Sequence, residues 1–202
     1  MGRSPAYCKL CRREGEKLFL KGDKCASTKC VMEKRKNPPG QHGAKPVKVT
    51  EYGRRLREKQ KARRIYGIGE RQFESYFIRA SKMVGSTGAK LLELLERRLD
   101  NVVFRLGFAP SRAAARQFVR HGHIKVNNRK VNLPSFQVKE NNEISGDQMI
   151  ITSAAERLKE YTAPSWLSLD GETMKAKVVH LPRPEDTERL IEEALIVEYY
   201  SR

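Results

Sequence analysis

The sequence lacks any long apolar run, and this absence limits where the protein can act. No stretch of its 202 residues approaches the roughly 20 consecutive apolar residues that span a bilayer. The first ten residues, MGRSPAYCKL, also lack the apolar core of a signal peptide, so export is not expected. Disulfides are rare in the reducing cytosol, where such a chain would stay. We therefore expect a cytoplasmic protein that makes no contact with membranes.

Acidic residues are also scarce relative to basic ones. The sequence has 41 Lys and Arg against 24 Asp and Glu, which gives a formal net charge of +17. Residues 1–100 carry 26 basic and 11 acidic side chains, whereas residues 161–202 carry 5 and 8. A charge excess of this size is typical of a nucleic-acid binder. We expect the polyanion on the first half and the middle of the chain, and the acidic tail packed on the protein itself.

Cysteine is missing after position 30, and the four cysteines that are present lie close together. They are spaced as C-x2-C, thirteen residues and C-x4-C, a pattern in which two pairs of thiolates can close a tetrahedral metal site. The segment 1–36 has too few apolar residues to fold without such a staple. We predict one structural zinc ion, while an iron–sulfur cluster or free thiols stay open as alternatives. The predicted ligands are Cys8, Cys11, Cys25 and Cys30.

Two basic segments follow the cysteines. Residues 35–46, RKNPPGQHGAKP, contain three prolines and two glycines, which favour a shaped turn. This turn is either a plain linker or an exposed loop that meets phosphate through its N–H groups and His42, which we expect to face RNA rather than the metal. Residues 51–66 are predicted to form a helix that ends at Gly67. Seven of the eleven residues from 54 to 64 are Lys or Arg and only Glu58 interrupts them, so a helix that follows phosphates is favoured over a solvated face that would repel itself.

The remainder of the chain is predicted to be helical first and then to form short strands. Apolar residues recur at helical spacing up to Gly107, and Ser86 or Thr87 can cap a helix after the break at GSTG. Asn127 and Asn128 suit a type I′ turn between two strands. We predict helices over 71–83, 90–107, 111–122 and 185–195, and strands within 123–132, 135–144, 149–152 and 176–181.

The predicted helix 111–122 has one small apolar face and one basic face. Arg112, Arg116 and Arg120 stand at i, i+4 and i+8, so their side chains align, about 6 Å apart along the axis. We interpret this arginine column as exposed side chains that follow one nucleic-acid backbone. The alternative is that the arginines are only solvated, with Arg112 paired to Glu143 or to another acid.

Long stretches of the sequence resemble one family of RNA-binding proteins. The αL RNA-binding motif of the S-four superfamily resembles RRLDNVVFRLGFAPSRAAARQFVRHGHIKVNNRKVNLPSFQV. The sequence is similar to the bacterial-type small-subunit ribosomal protein S-four family in NPPGQHG, EYGRRLREKQKARRIYGIGERQF and LIVEYYSR. Its cysteine spacing resembles that of the zinc-bearing branch of this family. Asn128 and the pair Asn141 and Asn142 depart from the glycine-containing turns that are commoner in the family, and we interpret both as tolerated turn substitutions.

We expect an α+β protein in three parts, which the resemblance supports. A zinc-stapled N-terminal arm with its basic loop would span 1–45, and a mainly helical domain would combine 46–95 with 185–202. An inserted αL RNA-binding domain with a small antiparallel sheet and an extension would span 96–184.

The resemblance also implies a function without catalysis. The chain would be a structural ribosomal protein that binds small-subunit (16S) ribosomal RNA at a helical junction in the 5′ domain and nucleates assembly of the subunit body. Its implied partners are ribosomal protein S-five and incoming mRNA, which Lys45 and Lys48 would face, and it would be a monomer outside the ribosome. Some relatives repress translation of their own operon. The predicted RNA-binding residues are Arg12, Arg13, Lys34, Arg35, Lys36, His42, Arg54, Arg55, Arg57, Lys59, Lys61, Arg63, Arg64, Arg112, Arg116, Arg120, His121 and His123.

Two other classes of protein fit less well. An RNA-modification enzyme or a stress-related RNA binder outside the ribosome would share the αL motif, but residues 161–202 are too few for a catalytic domain. A zinc-dependent DNA regulator would need an exposed recognition helix with base-reading side chains. The predicted helix 51–66 carries cations suited to phosphates instead, and phosphate contacts position a protein without specifying sequence.

Overall fold

The computed structural model describes residues 6–45, 48–158, 161–170, 175–188 and 190–201. The chain divides into two compact units. The first unit combines Met1–Gly69 with Ile191–Arg202, and the second unit is the continuous stretch Glu70–Leu190 between them. Segments from both sides of the second unit are therefore needed to build the first.

The described residues form helices in both units and strands in the second unit only. The helices are α1 Tyr7–Glu14, α2 Asp23–Ala26, α3 Val31–Lys34, α4 Glu51–Ile65, α5 Glu70–Ser81, α6 Thr87–Glu96, α7 Leu99–Arg105, α8 Arg112–Arg120, α9 Gln148–Leu158 and α10 Glu193–Tyr200. The strands are β1 Ile124–Val126, β2 Arg129–Lys130, β3 Glu143–Gly146, β4 Leu167–Asp170 and β5 Lys175–Val178, and Pro184–Asp186 form a 3₁₀ turn.

The first unit is built around α4. The hydroxyl of Thr50 caps this helix by accepting a hydrogen bond from the N–H of Gly53 at 3.1 Å. Gly67 follows its end at φ +63°, a left-handed conformation that stops a helix, as the sequence predicts. Helix α10 packs along α4, and α1 contacts both α3 and α4. The arm and the tail thus share one helix as their support.

The second unit contains an antiparallel sheet with strand order β2-β1-β3-β5-β4. Asn127 and Asn128, at φ +49° and +64°, form the predicted tight turn between β1 and β2. Ser111 caps α8 as predicted, since its hydroxyl accepts a hydrogen bond from the N–H of Ala114 at 3.3 Å. Ser86 also occupies the predicted cap position, before α6, although its side chain makes no capping bond.

The core of the second unit includes α7, α8 and one face of the sheet. Trp166, the only tryptophan of the chain, is fully buried in this core. Gly107 turns the chain after α7 at φ +76°, and a Cβ there would lie 2.9 Å from side-chain atoms of Leu158 and Tyr161. A larger residue does not fit at this turn without displacing the packing around it.

One long helix predicted over 90–107 is two helices in the structure. Helix α6 ends before Arg98, whose backbone is extended at ψ +136° and pairs with Gln137 in an isolated bridge. The N–H of Leu99 donates to the carbonyl of Phe136 at 2.9 Å instead of continuing the helix. The single-helix prediction is wrong because this long-range pairing overrides an uninterrupted apolar pattern.

Two further element predictions are wrong. Residues 149–152, predicted as a strand, lie in α9, which Asp147 begins by accepting a hydrogen bond from the N–H of Ile150 at 3.2 Å. The helix predicted over 185–195 is replaced by the 3₁₀ turn, and α10 begins only at Glu193. The predicted α+β class with a small antiparallel sheet is confirmed. The predicted three-part division stays a prediction, although the two compact units separate at Gly69 rather than at 95.

Candidate nucleic-acid interface and cysteine cluster

The four cysteines of the arm line one cavity. Helix α1 carries Cys8 and Cys11, α2 carries Cys25, and Cys30 immediately precedes α3. All four are free thiols, of which Cys8 is half-buried and the others are buried. In the part of the chain that the structure describes, no three His, Cys, Asp or Glu side chains are arranged closely enough to hold a metal ion. The fold therefore gathers the predicted ligands without placing them at coordination distance.

The thiols share one electrostatic environment. Burial raises the pKa of the Cys11 thiol, a hydrogen bond to the backbone of Leu18 opposes this rise, and the other three cysteines raise the pKa further. The N–H of Lys21 points at Sγ of Cys25 at 3.4 Å. The other cysteines therefore disfavour the Cys11 thiolate by like-charge repulsion, and a cation held among the four would favour it.

The basic loop has a fixed shape held from the arm. Arg12 donates from Nε to the carbonyl of Asn37 at 2.8 Å and from Nη2 to the carbonyl of Pro38 at 3.3 Å. Gly43 lies so close to Pro38 that a Cβ at this position would stand 1.9 Å from the Pro38 oxygen. His42 at the loop tip is exposed. Arg12, predicted to bind RNA, is thus engaged inside the protein.

Two glutamates of the arm bind cations of α4. The carboxylate of Glu14, whose side chain is only 1% exposed, pairs with Arg64 and lies 3.5 Å from Nη1 of Arg57. Glu16 lies 3.3 Å from Nζ of Lys61. These pairs fasten the arm to the middle and the end of α4.

The tail supplies further acidic partners to the same helix. Arg55 donates to Glu198 at 2.6 Å, and Arg54 lies 3.8 Å from Glu192. The N–H of Glu192 also donates to the carboxylate of Glu58 at 2.7 Å. Helix α10 is thereby fixed to α4 by charge as well as by packing.

An aromatic cluster completes the contact between α4 and α10. Nζ of Lys59 lies 4.3 Å from the ring centre of Tyr199 and 5.7 Å from that of Tyr200. The rings of Tyr52 and Tyr199 are 5.8 Å apart. Lys59 is buried in this cluster, where its charge faces aromatic rings rather than solvent.

The reasoning that cations of α4 lack acidic partners is therefore wrong. Glu51 and Glu58 belong to the helix itself and pair with Arg55 and Lys61, and the other acids come from the arm and the tail. Burial lowers the pKa of the Arg57 and Arg64 guanidinium groups, and the nearby Arg13 lowers them further. Arg54 keeps 60% of its side chain exposed. Contact of these cations with phosphate stays a prediction.

The arginine column on α8 is also engaged within the protein. Arg112 donates from Nε to Asn101 at 2.8 Å and from Nη2 to Glu188 at 2.7 Å. Arg116 donates to the buried carboxylate of Asp100 at 2.7 Å. The side chain of Arg112 is 12% exposed, so the expectation of an exposed column is wrong at its first member. The acid that binds it is Glu188 and not the Glu143 considered as an alternative.

The end of α8 is more accessible. Arg120 and His121 are exposed, whereas His123 is half-buried with Nδ1 2.6 Å from the carboxylate of Asp147. Burial acts to raise the pKa of Asp147, but hydrogen bonds with His123 and with the N–H of Ile150 outweigh it and hold the pKa below its ordinary value. His123 thus helps to secure the start of α9.

The predicted RNA-binding and mRNA-facing residues fall into two groups by exposure. Those that are exposed are Arg13, Lys34, Arg35, Lys36, His42, Lys45, Lys48, Arg54, Arg120 and His121. Those that are buried or half-buried are Arg12, Arg55, Arg57, Lys59, Lys61, Arg63, Arg64, Arg112, Arg116 and His123. Sequence reasoning missed the acids that hold several members of the second group, such as Glu14, Glu188 and Glu198, because no local signal marks a partner tens of residues away.

Two family models match this sequence. That of the ribosomal protein S4/S9 N-terminal domain matches residues 5–96, and that of the S4 domain matches residues 97–144, which contain α7, α8 and the first strands. Fold and match together define an S4-domain protein. No helix in the described ranges is both long and apolar enough to cross a membrane.

Similarity to curated proteins extends over almost the whole chain. The chain is 54% identical to small ribosomal subunit protein uS4A of Symbiobacterium thermophilum, 54% identical to uS4 of Halothermothrix orenii and 55% identical to uS4 of Thermus thermophilus. Each alignment covers 96% of this chain and 96% of the relative. The chain belongs to the uS4 family of small ribosomal subunit proteins. The resemblance found in the sequence is confirmed, while membership of a zinc-bearing branch stays a prediction.

Proposed function

We propose that the chain is a structural protein of the small ribosomal subunit in the cytoplasm and that it binds 16S ribosomal RNA. The observation that carries this proposal is the similarity to uS4 proteins over 96% of the chain. The net charge of +17 supports a polyanionic partner. The role is one of binding and support, as for a ribosomal scaffold protein, and not of catalysis.

The proposed RNA target is a helical junction in the 5′ domain, where binding would nucleate assembly of the subunit body. Exposed cations are available on both units, including Arg13 and Lys34–Lys36 on the first and Arg120 on the second. Lysine and arginine heads of this kind contact phosphates, so recognition would depend on the shape of the folded RNA rather than on base sequence.

A binding comparison tests this function. The full chain is titrated with the 5′-domain fragment of 16S ribosomal RNA, with an RNA of equal length and scrambled sequence, and with a DNA duplex, at several salt concentrations. We expect preference for the 5′ domain and a steep loss of affinity with salt, about 10³–10⁵ between ~50 and ~200 mM if roughly 6–10 phosphates are contacted. Equal affinity for all three nucleic acids contradicts the proposal.

We also propose that the four cysteines hold one structural zinc ion. The donor set fits, because four free thiols line one cavity and four thiolates are what a closed structural site requires. The sulfur atoms must draw together to reach coordination distance. When bound, the ion would join α1, α2 and the start of α3 by metal–thiolate bonds and so stabilise an arm with little apolar core. An iron–sulfur cluster is the alternative, and metal content of the purified protein distinguishes the two.

Two further contacts are proposed for the assembled subunit. Lys45 at the end of the basic loop and Lys48 just after it are exposed, and Arg12 holds the loop in shape, which supports a role in facing incoming mRNA. Contact with ribosomal protein S-five, a monomeric state outside the ribosome and repression of the chain's own operon are supported by the family resemblance alone.

A further inference from the structure

The sheet of the second unit has a buried face and an outer face. In β5, Ala176 and Val178 are buried in the core, while Lys175 and Lys177, which alternate with them, are exposed. The same alternation buries both ends of β1 and turns Lys125 outward. Because side chains at paired positions share a face, the strand register decides which outward residues are neighbours.

The register brings four lysines onto the outer face. One row across the strands reads Lys130, Lys125, Ser145, Lys175 and Asp170. The next row reads Glu143, Lys177 and Ser168. We name Lys125, Lys130, Lys175 and Lys177 the lysine face. It sets four positive charges against two carboxylates.

The charge of the lysine face is not compensated within the described part of the chain. None of the four lysines has an ion pair there, although Glu143 is opposite Lys177 in the register. Lys125 and Lys130 are directly opposite one another, an arrangement that is destabilising for like charges. An anion on the outer face would relieve this repulsion.

The other basic surface of the second unit is different in this respect. On α8, the guanidinium groups of Arg112 and Arg116 already bind the carboxylates of Glu188 and Asp100. Uncompensated positive charge is therefore carried by the sheet as well as by the exposed end of α8.

The residue types on this face favour a phosphate backbone over a protein partner. Lysine is depleted at protein–protein interfaces, where aromatic residues are enriched. Lysine ammonium groups act as point charges that bind phosphate, and the hydroxyls of Ser145 and Ser168 add hydrogen-bond donors between them. An extended anionic strand can contact several lysines of the two rows at once.

We infer that the lysine face is a second RNA-binding surface of the S4-domain unit, which binds the phosphate backbone of an RNA strand. The inference rests on the proposed binding of 16S ribosomal RNA and adds a surface to it. Residues 97–144 match the S4 domain, so Lys125 and Lys130 belong to that domain while Lys175 and Lys177 come from β5, beyond the match. The surface is thus built jointly by the domain and its extension.

The first test combines substitution with salt dependence. The full chain carrying Lys125→Gln, Lys130→Gln, Lys175→Gln and Lys177→Gln is compared with the parent in binding the 5′-domain fragment of 16S ribosomal RNA. If all four lysines contact phosphates, the slope of log affinity against log salt falls by about 3 in magnitude, and affinity at ~0.1 M salt falls at least about tenfold. The fluorescence of Trp166, buried beneath the sheet, verifies that the variant is folded.

A matched variant of opposite sign sharpens the comparison. Glu143→Gln removes a carboxylate from the same face, so it is expected to increase affinity, by up to about fivefold at low salt. A decrease in affinity for this variant overturns the inference. So does an unchanged salt slope in the four-lysine variant, and in that case the proposed function still stands if the parent binds the fragment. A parent that fails to bind the fragment overturns both.

Lysine footprinting on the unsubstituted chain gives an independent readout. An amine-reactive acylating reagent is applied to the free chain and to its binary complex with the 5′-domain fragment, and modified lysines are identified by mass spectrometry. We expect protection of the lysine face on RNA binding, whereas Lys61, which is buried in ion pairs, should react slowly in both samples. Equal modification of the four lysines with and without RNA overturns the inference.

Discussion

Replacing Arg112 with alanine is expected to destabilise the second unit by about 2–4 kcal/mol. The side chain is 12% exposed and donates to Oδ1 of Asn101 at 2.8 Å and to Glu188 at 2.7 Å. Asn101 is buried, so its oxygen would lose its partner at a cost of about 1–3 kcal/mol. The guanidinium also lies 4.6 Å from the ring centre of Phe104, a contact of about 0.5–2 kcal/mol. Glu188 contributes little to the loss, because it keeps Arg105 as a partner at 3.5 Å.

Denaturant unfolding of the full chain measures this effect. Trp166 is the only tryptophan and lies in the core of the second unit, so its fluorescence follows that unit alone. Arg120→Ala is the matched control, since Arg120 ends the same helix in an exposed position and should change stability by no more than about 0.5 kcal/mol. Arg112→Lys should fall between the two, because one ammonium cannot reproduce the two-pronged contact. Equal unfolding midpoints for Arg112→Ala and Arg120→Ala would refute the reasoning.

Three other predictions follow from the arm and its loop. Purified protein is expected to contain about one zinc per chain and to release it as the pH falls. Burial and neighbouring thiols raise the pKa of Cys11, so protons compete with the metal for the thiolates. Elemental analysis at several pH values checks this, and finding iron with visible absorption contradicts it. Replacing Lys45 and Lys48 with alanine should leave subunit assembly intact and slow translation through a stable mRNA hairpin, whereas an unchanged rate counts against the mRNA-facing role. Glu14→Gln should loosen the arm from α4, since the buried carboxylate binds Arg57 and Arg64. Hydrogen exchange of the amides of α1 should then accelerate. Unaltered protection of these amides from exchange shows that packing alone holds the arm.

Elements with strong local signals could be predicted from the sequence. Gly67 marks the end of helix α4, and Ser111 marks the start of α8. The turn at Asn127 and Asn128 was recognised because both residues tolerate a positive φ. In each case the residues that determine the structure lie within a few positions of it.

Features that depend on distant partners could not be predicted in this way. The break before α7 arises because Arg98 pairs with Gln137, and the residues between 90 and 107 contain no local signal that predicts a break. The cations of α4 and α8 looked available because their acids, Glu14 and Glu188 among them, lie far away in sequence. Charge density therefore predicted a polyanion-binding protein correctly in kind, but it could not distinguish cations that bind acids inside the protein from those left for a ligand.

The packing of α10 on α4 has a consequence for synthesis. Residues Glu70–Leu190 form a continuous unit, so the whole of that unit is synthesised between α4 and the tail that packs on it. Helix α4 is made early, but Glu198 and Tyr199 are among the last residues to be added, and until then Arg55 lacks its bond to Glu198 and Lys59 lacks the ring that covers it. The first part of the protein to be translated is thus among the last to be finished, and its cations are open to nucleic acid for longest during that interval.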